Sequence, residues 1–324
     1  MKALIIRSFT EPPTISEDFP IPSVDRTYSV LVKVLAVPIE NLDRAVAAGT
    51  HYSSSFWHQS FPSIPGASAI GRRVDNQHLV YLPGMSMRPG NGAMAEYTVA
   101  KEDSIMDLEE TQRLSSMVAS LSSAQTSLLP LKYDQPLSPS DTVIINGATG
   151  FAGKLAVQVA RHLGIRNIIA TGRSEERLTA LRRLGATQSI NTNSIQSGLA
   201  QSELSGNVSI IDYLWGSATT AILRSLIPTS PANLRQTILY EIGSAAHEPE
   251  ITLPATAIRT SGVQIRGLMT LNNLKNRSAA TRELISLLGS GVLQGDTEDV
   301  TLEDAADIWR KTPSSGIRNV IRME

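Results

Sequence analysis

The sequence predicts an α/β chain: a doubly wound parallel sheet joined to a smaller, barrel-like domain of short strands. Three observations predict it. The chain has 324 residues, more than one hydrophobic core usually serves. Up to about residue 115 short β-branched stretches are broken by proline and glycine, and after Thr142 strands and helices alternate, the order of a parallel sheet with right-handed crossovers. At the head of that alternation residues 142–164 read strand, glycine turn, helix. Val143 to Ile145 is a short apolar run, and Gly147, Gly150 and Gly153 make the turn. Leu155, Val157, Val159, Ala160 and Leu163 then recur at helical spacing before Gly164.

That turn, Gly147-Ala148-Thr149-Gly150-Phe151-Ala152-Gly153, is a candidate dinucleotide site, with alanine where the first glycine of the usual pattern stands. Gly150 lets a pyrophosphate approach the backbone and Gly153 lets the helix pack close to the sheet. The helix start offers free N–H groups and a positive dipole end to phosphates. The alternative is a βα unit that binds nothing.

Taken in order, strands are expected at Ala3–Arg7 and Ser29–Val37, with Pro12, Pro13, Pro20 and Pro22 precluding a helix between them. A short helix from Asn41 to Ala48 stops at Gly49. Strands follow at 69–74, 78–82 and 93–99, then a helix over 113–132. In the second half strands are expected at 142–146, 167–171, 187–190, 208–213 and 236–242, with helices near 150–164, 174–184 and 216–227. A strand near 264–269, a helix over 278–288, a helix over 302–311 and a strand over 317–322 complete the chain.

Composition narrows the function. Hydrophobic residues are 41% and charged residues 18%, as in globular enzymes, and the net charge of −1 lacks the basic surplus of a nucleic-acid platform. With no cysteine, disulfides, thiolate zinc sites and cysteine nucleophiles are excluded. The apolar run at the start is too short for a signal peptide, and none approaches the roughly 20 residues of a membrane span, so a cytoplasmic protein without membrane insertion is expected.

Several segments together carry a resemblance: Glu40-Asn-Leu-Asp-Arg44 with Ala48-Gly-Thr-His-Tyr52, Pro65-Gly66, Gly92-Ala-Met-Ala-Glu-Tyr97, the 143–164 turn and helix, Asp212-Tyr-Leu-Trp-Gly216, and Ile242-Gly-Ser244. In order and spacing the chain resembles the medium-chain dehydrogenase/reductase superfamily, in its zinc-independent quinone oxidoreductase branch. The resemblance implies a GroES-like β-barrel domain at 1–115, completed by about 270–324, and a Rossmann NADPH-binding domain at 116–269. It implies a nicotinamide site in the cleft between them and a homodimer. It also implies a cofactor role for Thr126 and Gly243 and a hydrogen bond from Tyr52 to the acceptor oxygen; the alternatives are a helix-face residue for Thr126 and a packing tyrosine for Tyr52. The family's asparagine falls at Glu40 here, with Asn41 one step later, so either side chain could orient the nicotinamide. Asp43 reads as an arginine partner.

Cofactor choice is written at the end of the second parallel strand. An NAD site wants an acidic residue there; this chain has Gly172, then Arg173 and Ser174. Glycine makes room for a 2′-phosphate and Arg173 supplies charge and a planar donor fork, with Ser174 and Arg177 as further contacts. Otherwise Arg173 is a solvated loop arginine and Ser174 caps the next helix. Trp215, after the fourth strand, either walls the cofactor cleft or is core. Zinc alcohol dehydrogenases of this superfamily carry Gly-His-Glu after a proline; here the residues are Gly66-Ala67-Ser68, and no metal is expected. A missing Lewis acid favours quinones or activated alkenes over simple alcohols, because a hydroquinone anion is phenolate-like.

The stretch from Tyr52 through Phe56, Trp57 and Phe61 is expected to be a mobile loop laying rings over a planar acceptor, or else a hydrophobic plug. The function expected is NADPH-dependent, zinc-independent hydride transfer to a quinone or similar electron-poor carbonyl. The alternatives are a reductase of α,β-unsaturated aldehydes or ketones and a catalytically idle NADPH-binding protein.

Overall fold

The computed structural model describes residues 1–84, 86–230, 233–268, 271–311 and 316–323. The chain forms two compact units, residues 1–122 with 294–324, and residues 123–293. The division falls inside a helix (α3, Leu114–Leu128) and after a long one (α9, Leu271–Gly289), later than the boundaries at 115/116 and about 270 read from sequence.

The first unit takes seven strands from the amino-terminal part: β1 (Ala3–Ile5), β2 (Thr14–Ser16), β3 (Val30–Pro38), β4 (Ala69–Arg73), β5 (Leu79–Leu82), β6 (Tyr97–Ala100) and β7 (Met106–Asp107). Two more, β14 (Thr297–Val300) and β15 (Arg318–Arg322), return from the carboxyl-terminal part. β1 and β2 pair alone, and the others form one sheet in the order β14-β15-β3-β4-β5-β7, with β6 also on β3. β3 is nine residues long and largely alternates buried with less buried positions, which gives the sheet one core face. Val30, Val32 and Val34 pack there with Leu4, Ile64, Val80 and Ile321. The strand expected at 93–99 is regular only from Tyr97. Residues 93–94 bond Gly66 and Pro65 instead, a turn-to-turn contact that Gly92 permits: an added Cβ there would lie 2.3 Å from the Pro65 carbonyl oxygen.

The second unit is a six-stranded, all-parallel sheet of β8 (Thr142–Asn146), β9 (Asn167–Gly172), β10 (Gln188–Asn191), β11 (Val208–Asp212), β12 (Thr237–Glu241) and β13 (Val263–Gly267). Their order is β10-β9-β8-β11-β12-β13, that of a Rossmann fold with its switch point beside β8. Both faces are covered. Ile145, Val143 and Ile211 pack with Val157 and Ala160 of α4 (Phe151–His162), while Ile144, Ile210 and Leu239 pack with Ile222 and Leu223 of α7 (Gly216–Ser225) on the other face. This two-sided burial is why the strands read as unbroken apolar runs. The predicted doubly wound sheet and GroES-like domain are the folds observed.

Local differences have local causes. The helix expected over 113–132 ends as α-helix at Leu128 and widens into a π-turn at Leu129–Asp134, where Pro130 has no N–H to give. The helix expected over 278–288 begins earlier, at Leu271. The strand near 264–269 is Val263–Gly267; Met269 lies outside the described residues. Short helices at Ser54–Trp57 (α2), Ile195–Ala200 (α6) and Ala255–Ser261 (α8), and the strands β2 and β14, were not expected, being too short to show a period.

Candidate functional site

β8 delivers the chain to the glycine turn at the carboxyl edge of the sheet. Gly147 has φ +87°, in the left-handed region glycine favours. The Ala148 N–H donates to the Thr171 carbonyl at 2.8 Å, tying the turn to β9. At Gly153 an added Cβ would lie 2.4 Å from the Gly147 carbonyl oxygen and 2.6 Å from Ala148 Cα. Nothing larger than glycine lets α4 start so close under the turn. Gly150 differs: among the described residues an added Cβ would meet only the Gly147 oxygen, at 3.4 Å. Thr149, Phe151 and Ala152 complete the cradle, with Phe151 side-chain burial anchoring it.

Three helices follow β8, β9 and β11, and their starts are treated differently. α5 (Glu175–Leu184) is capped by Ser174, whose Oγ accepts from the Arg177 N–H. At α7 the Glu248 carboxylate accepts from the Ser217 N–H at 2.7 Å and the Ser217 hydroxyl at 2.8 Å. The start of α4 has neither a side-chain cap nor an acidic residue in its first turn. The N–H groups of a helix start and a dipole end with no acidic residue beside it are the elements of a phosphate site. The cradle therefore fits the pyrophosphate of a dinucleotide.

β9 ends at the second predicted feature. Gly172 is buried, and an added Cβ would lie 2.6 Å from Thr149 Cγ2. Glycine here serves contact with the turn as well as any space for a phosphate. Arg173 and Arg177 are exposed, and among the described residues no carboxylate pairs with either. The Arg173 carbonyl accepts from Asn191 Nδ2, which fixes the backbone and leaves the guanidinium free. Ser174 spends its oxygen on the cap, the alternative role read for it.

Sequence reading missed what holds these pieces together. Asp212, wholly buried at the end of β11, accepts from Asn146 Nδ2 at 2.8 Å, the Thr219 hydroxyl at 2.6 Å and the N–H groups of Leu214 and Trp215 at 3.0 and 3.1 Å. Asn146 in turn accepts from the Thr171 hydroxyl at 2.8 Å. One network thus joins β8, β9, β11 and α7 directly beneath the carboxyl edge. Trp215 sits at φ +61°, ψ −173°, a conformation costing roughly 1–3 kcal/mol for a non-glycine residue. The bond to Asp212 and an indole N–H donated to the Pro249 carbonyl hold it there. Gly243 donates its N–H to the Asp212 carbonyl at 3.3 Å, with space beside it. Thr126 donates to the Ser123 carbonyl and receives the Tyr213 hydroxyl at 2.8 Å, so its oxygen can only accept from a ligand. Burial holds the Tyr213 phenol above its ordinary range.

In the first unit Glu40 and Asn41 part company. Glu40 is buried as the cap of α1 (Asn41–Ala47), accepts from the Ser122 hydroxyl and lies 3.8 Å from Arg318. Asn41 is exposed. Asp43 is held by backbone rather than by a bonded arginine, accepting from the Glu40 N–H at 2.8 Å and the Ala67 N–H at 2.9 Å. Burial, and then the neighbouring Glu40 charge, push its carboxyl up to about 7 from 3.8. The folded state therefore holds a proton that the unfolded chain releases. Stability from this group is full below about pH 4 and is lost as pH rises through about 7. Thermal melts should show Tm falling between about pH 4 and pH 7, and Glu40→Gln, which removes the like charge, should flatten that fall. An unchanged slope in the variant would remove Glu40 as a cause.

Tyr52 is 88% exposed, its ring 4.3 Å from that of His51. Phe56 and Trp57 lie in α2 with their rings edge to face at 5.5 Å, and the Trp57 carbonyl accepts from the Gly90 N–H. Phe9, His58 and Phe61 form a separate ring cluster, with His58 pushed down to about 4 by burial. The segment contains a short helix, with Tyr52 exposed just before it.

No family model matches the sequence. The chain is 26% identical to the probable NADPH-dependent quinone reductase tdiC of Emericella nidulans, over 99% of each chain. It is 23% identical to the mitochondrial enoyl-[acyl-carrier-protein] reductase of Arabidopsis thaliana, over 94% of this chain and 82% of that one. Among solved structures it superposes on the quinone oxidoreductase of Thermus thermophilus, which has also been determined with NADPH, with a TM-score of 0.76 over the whole of both chains at 22% identity. Fold, motif order and full-length similarity converge: the chain is similar to medium-chain dehydrogenases/reductases of the quinone-oxidoreductase-like kind.

Proposed function

We propose that the protein is an NADPH-dependent, zinc-independent reductase of quinones or similar electron-poor carbonyl compounds. The observation that carries the reading is the start of α4, with no side-chain cap and no acidic residue in its first turn, under a glycine turn whose packing tolerates no larger residue at Gly153. Gly147 to Gly153 would hold the pyrophosphate, Arg173 and Arg177 the 2′-phosphate, and Thr126, Trp215 and Gly243 the nicotinamide end. When bound, NADPH supplies a hydride and its two electrons. The protein's own residues bind, orient and exclude water. Tyr52 is the hydrogen-bond donor for the acceptor oxygen, Asn41 is the exposed candidate for orientation, and Phe56 and Trp57 offer ring faces to a planar acceptor. Zinc independence is supported by the lack of any cysteine and by Ala67-Ser68 where a His-Glu pair would stand. A cytoplasmic homodimer belongs to the same reading.

Loss of NADPH absorbance with a panel of quinones, enones and aldehydes tests it, before and after a chelator. Turnover of quinones unaffected by chelation is expected. The similarity to an enoyl reductase favours the α,β-unsaturated alternative, which enone turnover without quinone turnover would establish. No turnover of any acceptor, with NADPH still bound, would leave a binding protein.

Arg173 gives a sharper test of the cofactor. A charged hydrogen bond to a 2′-phosphate contributes roughly 1.5–3 kcal/mol; about 2 kcal/mol is a preference for NADPH over NADH of order 30-fold. Arg173→Ala should weaken NADPH by about that factor and leave NADH nearly unchanged, in equilibrium titrations of both. Equal weakening of the two cofactors would return Arg173 to a plain loop role. Gly172→Asp is a poorer test, because its Cβ would strike Thr149.

A further inference from the structure

The first unit holds a depression whose walls are polar and whose residues take no part in the site above. Its volume is about 300 Å³, and Arg113, Ser115, Ser116, Gln294, Asp299 and Arg322 are among its walls. Ser115 and Ser116 belong to the first turn of α3, which carries no acidic residue, so the positive end of this 15-residue helix is not neutralised from within. Ser116 builds the wall: its hydroxyl donates to the Gly295 carbonyl and accepts the Gly295 N–H. Arg322 of β15 donates from Nη1 to Ser115 Oγ at 3.1 Å and stands 3.9 Å from Asp299, while its Nε is buried with no partner among the described residues. Ser115 thus keeps its own hydroxyl hydrogen for something else. Arg113 is exposed, and among the described residues no carboxylate pairs with it.

Among the described residues two guanidiniums and a helix start face a single, loosely paired carboxylate. The balance is positive, and the donors outnumber what the protein offers them. We infer that this depression binds a small oxyanion, the phosphate or carboxylate group of a metabolite, with Arg113 and Arg322 as its fork-shaped donors and the Ser115 hydroxyl as a third. The depression is too small for a dinucleotide and is independent of the cofactor reading.

The test is calorimetric titration of the full chain, without cofactor, using inorganic phosphate and separately succinate, each against potassium chloride of matched ionic strength. Phosphate can also enter the cradle beside Arg173, so Arg113→Gln and Arg173→Ala are compared. Arg113 is exposed, and its replacement should fold normally; an unchanged melting temperature checks this. Binding retained in Arg173→Ala and weakened at least tenfold in Arg113→Gln is the expected result. Phosphate binding alone would mark a phosphoryl site and succinate binding alone a carboxylate site. The inference is overturned if neither ion exceeds the chloride control, or if Arg113→Gln binds as the wild type does.

Discussion

Replacing Gly153 by alanine is expected to be among the most damaging single-methyl changes in this chain. The new Cβ would press on backbone, the Gly147 carbonyl oxygen at 2.4 Å and Ala148 Cα at 2.6 Å, and backbone cannot swing aside as a side-chain tip can. α4 must lift from the turn, at the 1–3 kcal/mol typical of roughly one forced methyl in a packed site. The lift also moves the helix start relative to Gly147. Both stability and cofactor affinity should fall, Tm by several degrees and NADPH affinity by at least about tenfold. Gly150→Ala separates the two effects. Among the described residues its Cβ meets only one atom, at 3.4 Å, so the fold should lose no more than about 1 kcal/mol, the cost of a poorer cap residue. The methyl would stand in the cradle, and NADPH should still weaken. Melting curves and fluorescence titration of the two variants decide it; equal behaviour of the pair would mean that the two glycines do not have different jobs.

That difference between Gly150 and Gly153 was legible in the sequence, because a strand, a glycine turn and a helix in succession constrain each other. The parallel strands were legible too, since sheets covered on both faces write uninterrupted apolar runs. Arg173 stood out because an acidic residue was missing before it. What could not be read was anything depending on long-range contact. Ser174 looks the same in sequence whether it caps a helix or binds a phosphate. Glu40 and Asn41 differ by one position, and only burial against Ser122 and Arg318 separates the inward carboxylate from the exposed amide. Glu248, some 30 residues beyond the helix it caps, leaves no local trace. Asp212 had a weak signal: a charged residue ending the apolar run Val208–Ile211 has to be satisfied by something.

Asp212→Ala should be more destructive than any substitution at the exposed candidate residues. The side chain is wholly buried and gathers four donors, from Asn146, Thr219, Leu214 and Trp215. Alanine leaves all four without their acceptor. Each unsatisfied buried donor costs roughly 1–3 kcal/mol, and partial relaxation brings the expected sum to about 4 kcal/mol. The strained backbone of Trp215 loses its anchor at the same time, and Asn146 loses the contact that sets its orientation toward Thr171. Turn, strand end and α7 start should loosen together, so cofactor binding should weaken even in the fraction that remains folded. Asp212→Asn is the discriminating partner. Its oxygen can still accept from Asn146 and the two N–H groups, and its amide can donate to the Thr219 hydroxyl, which rotates to accept. That variant should lose only about 1–2 kcal/mol and keep most of its cofactor affinity. Denaturant melts of both variants, with and without NADPH, measure the difference. If Asp212→Ala melts within about 1 kcal/mol of wild type, the network does not hold the carboxyl edge together, and Trp215 must be held by its indole bond to Pro249 alone.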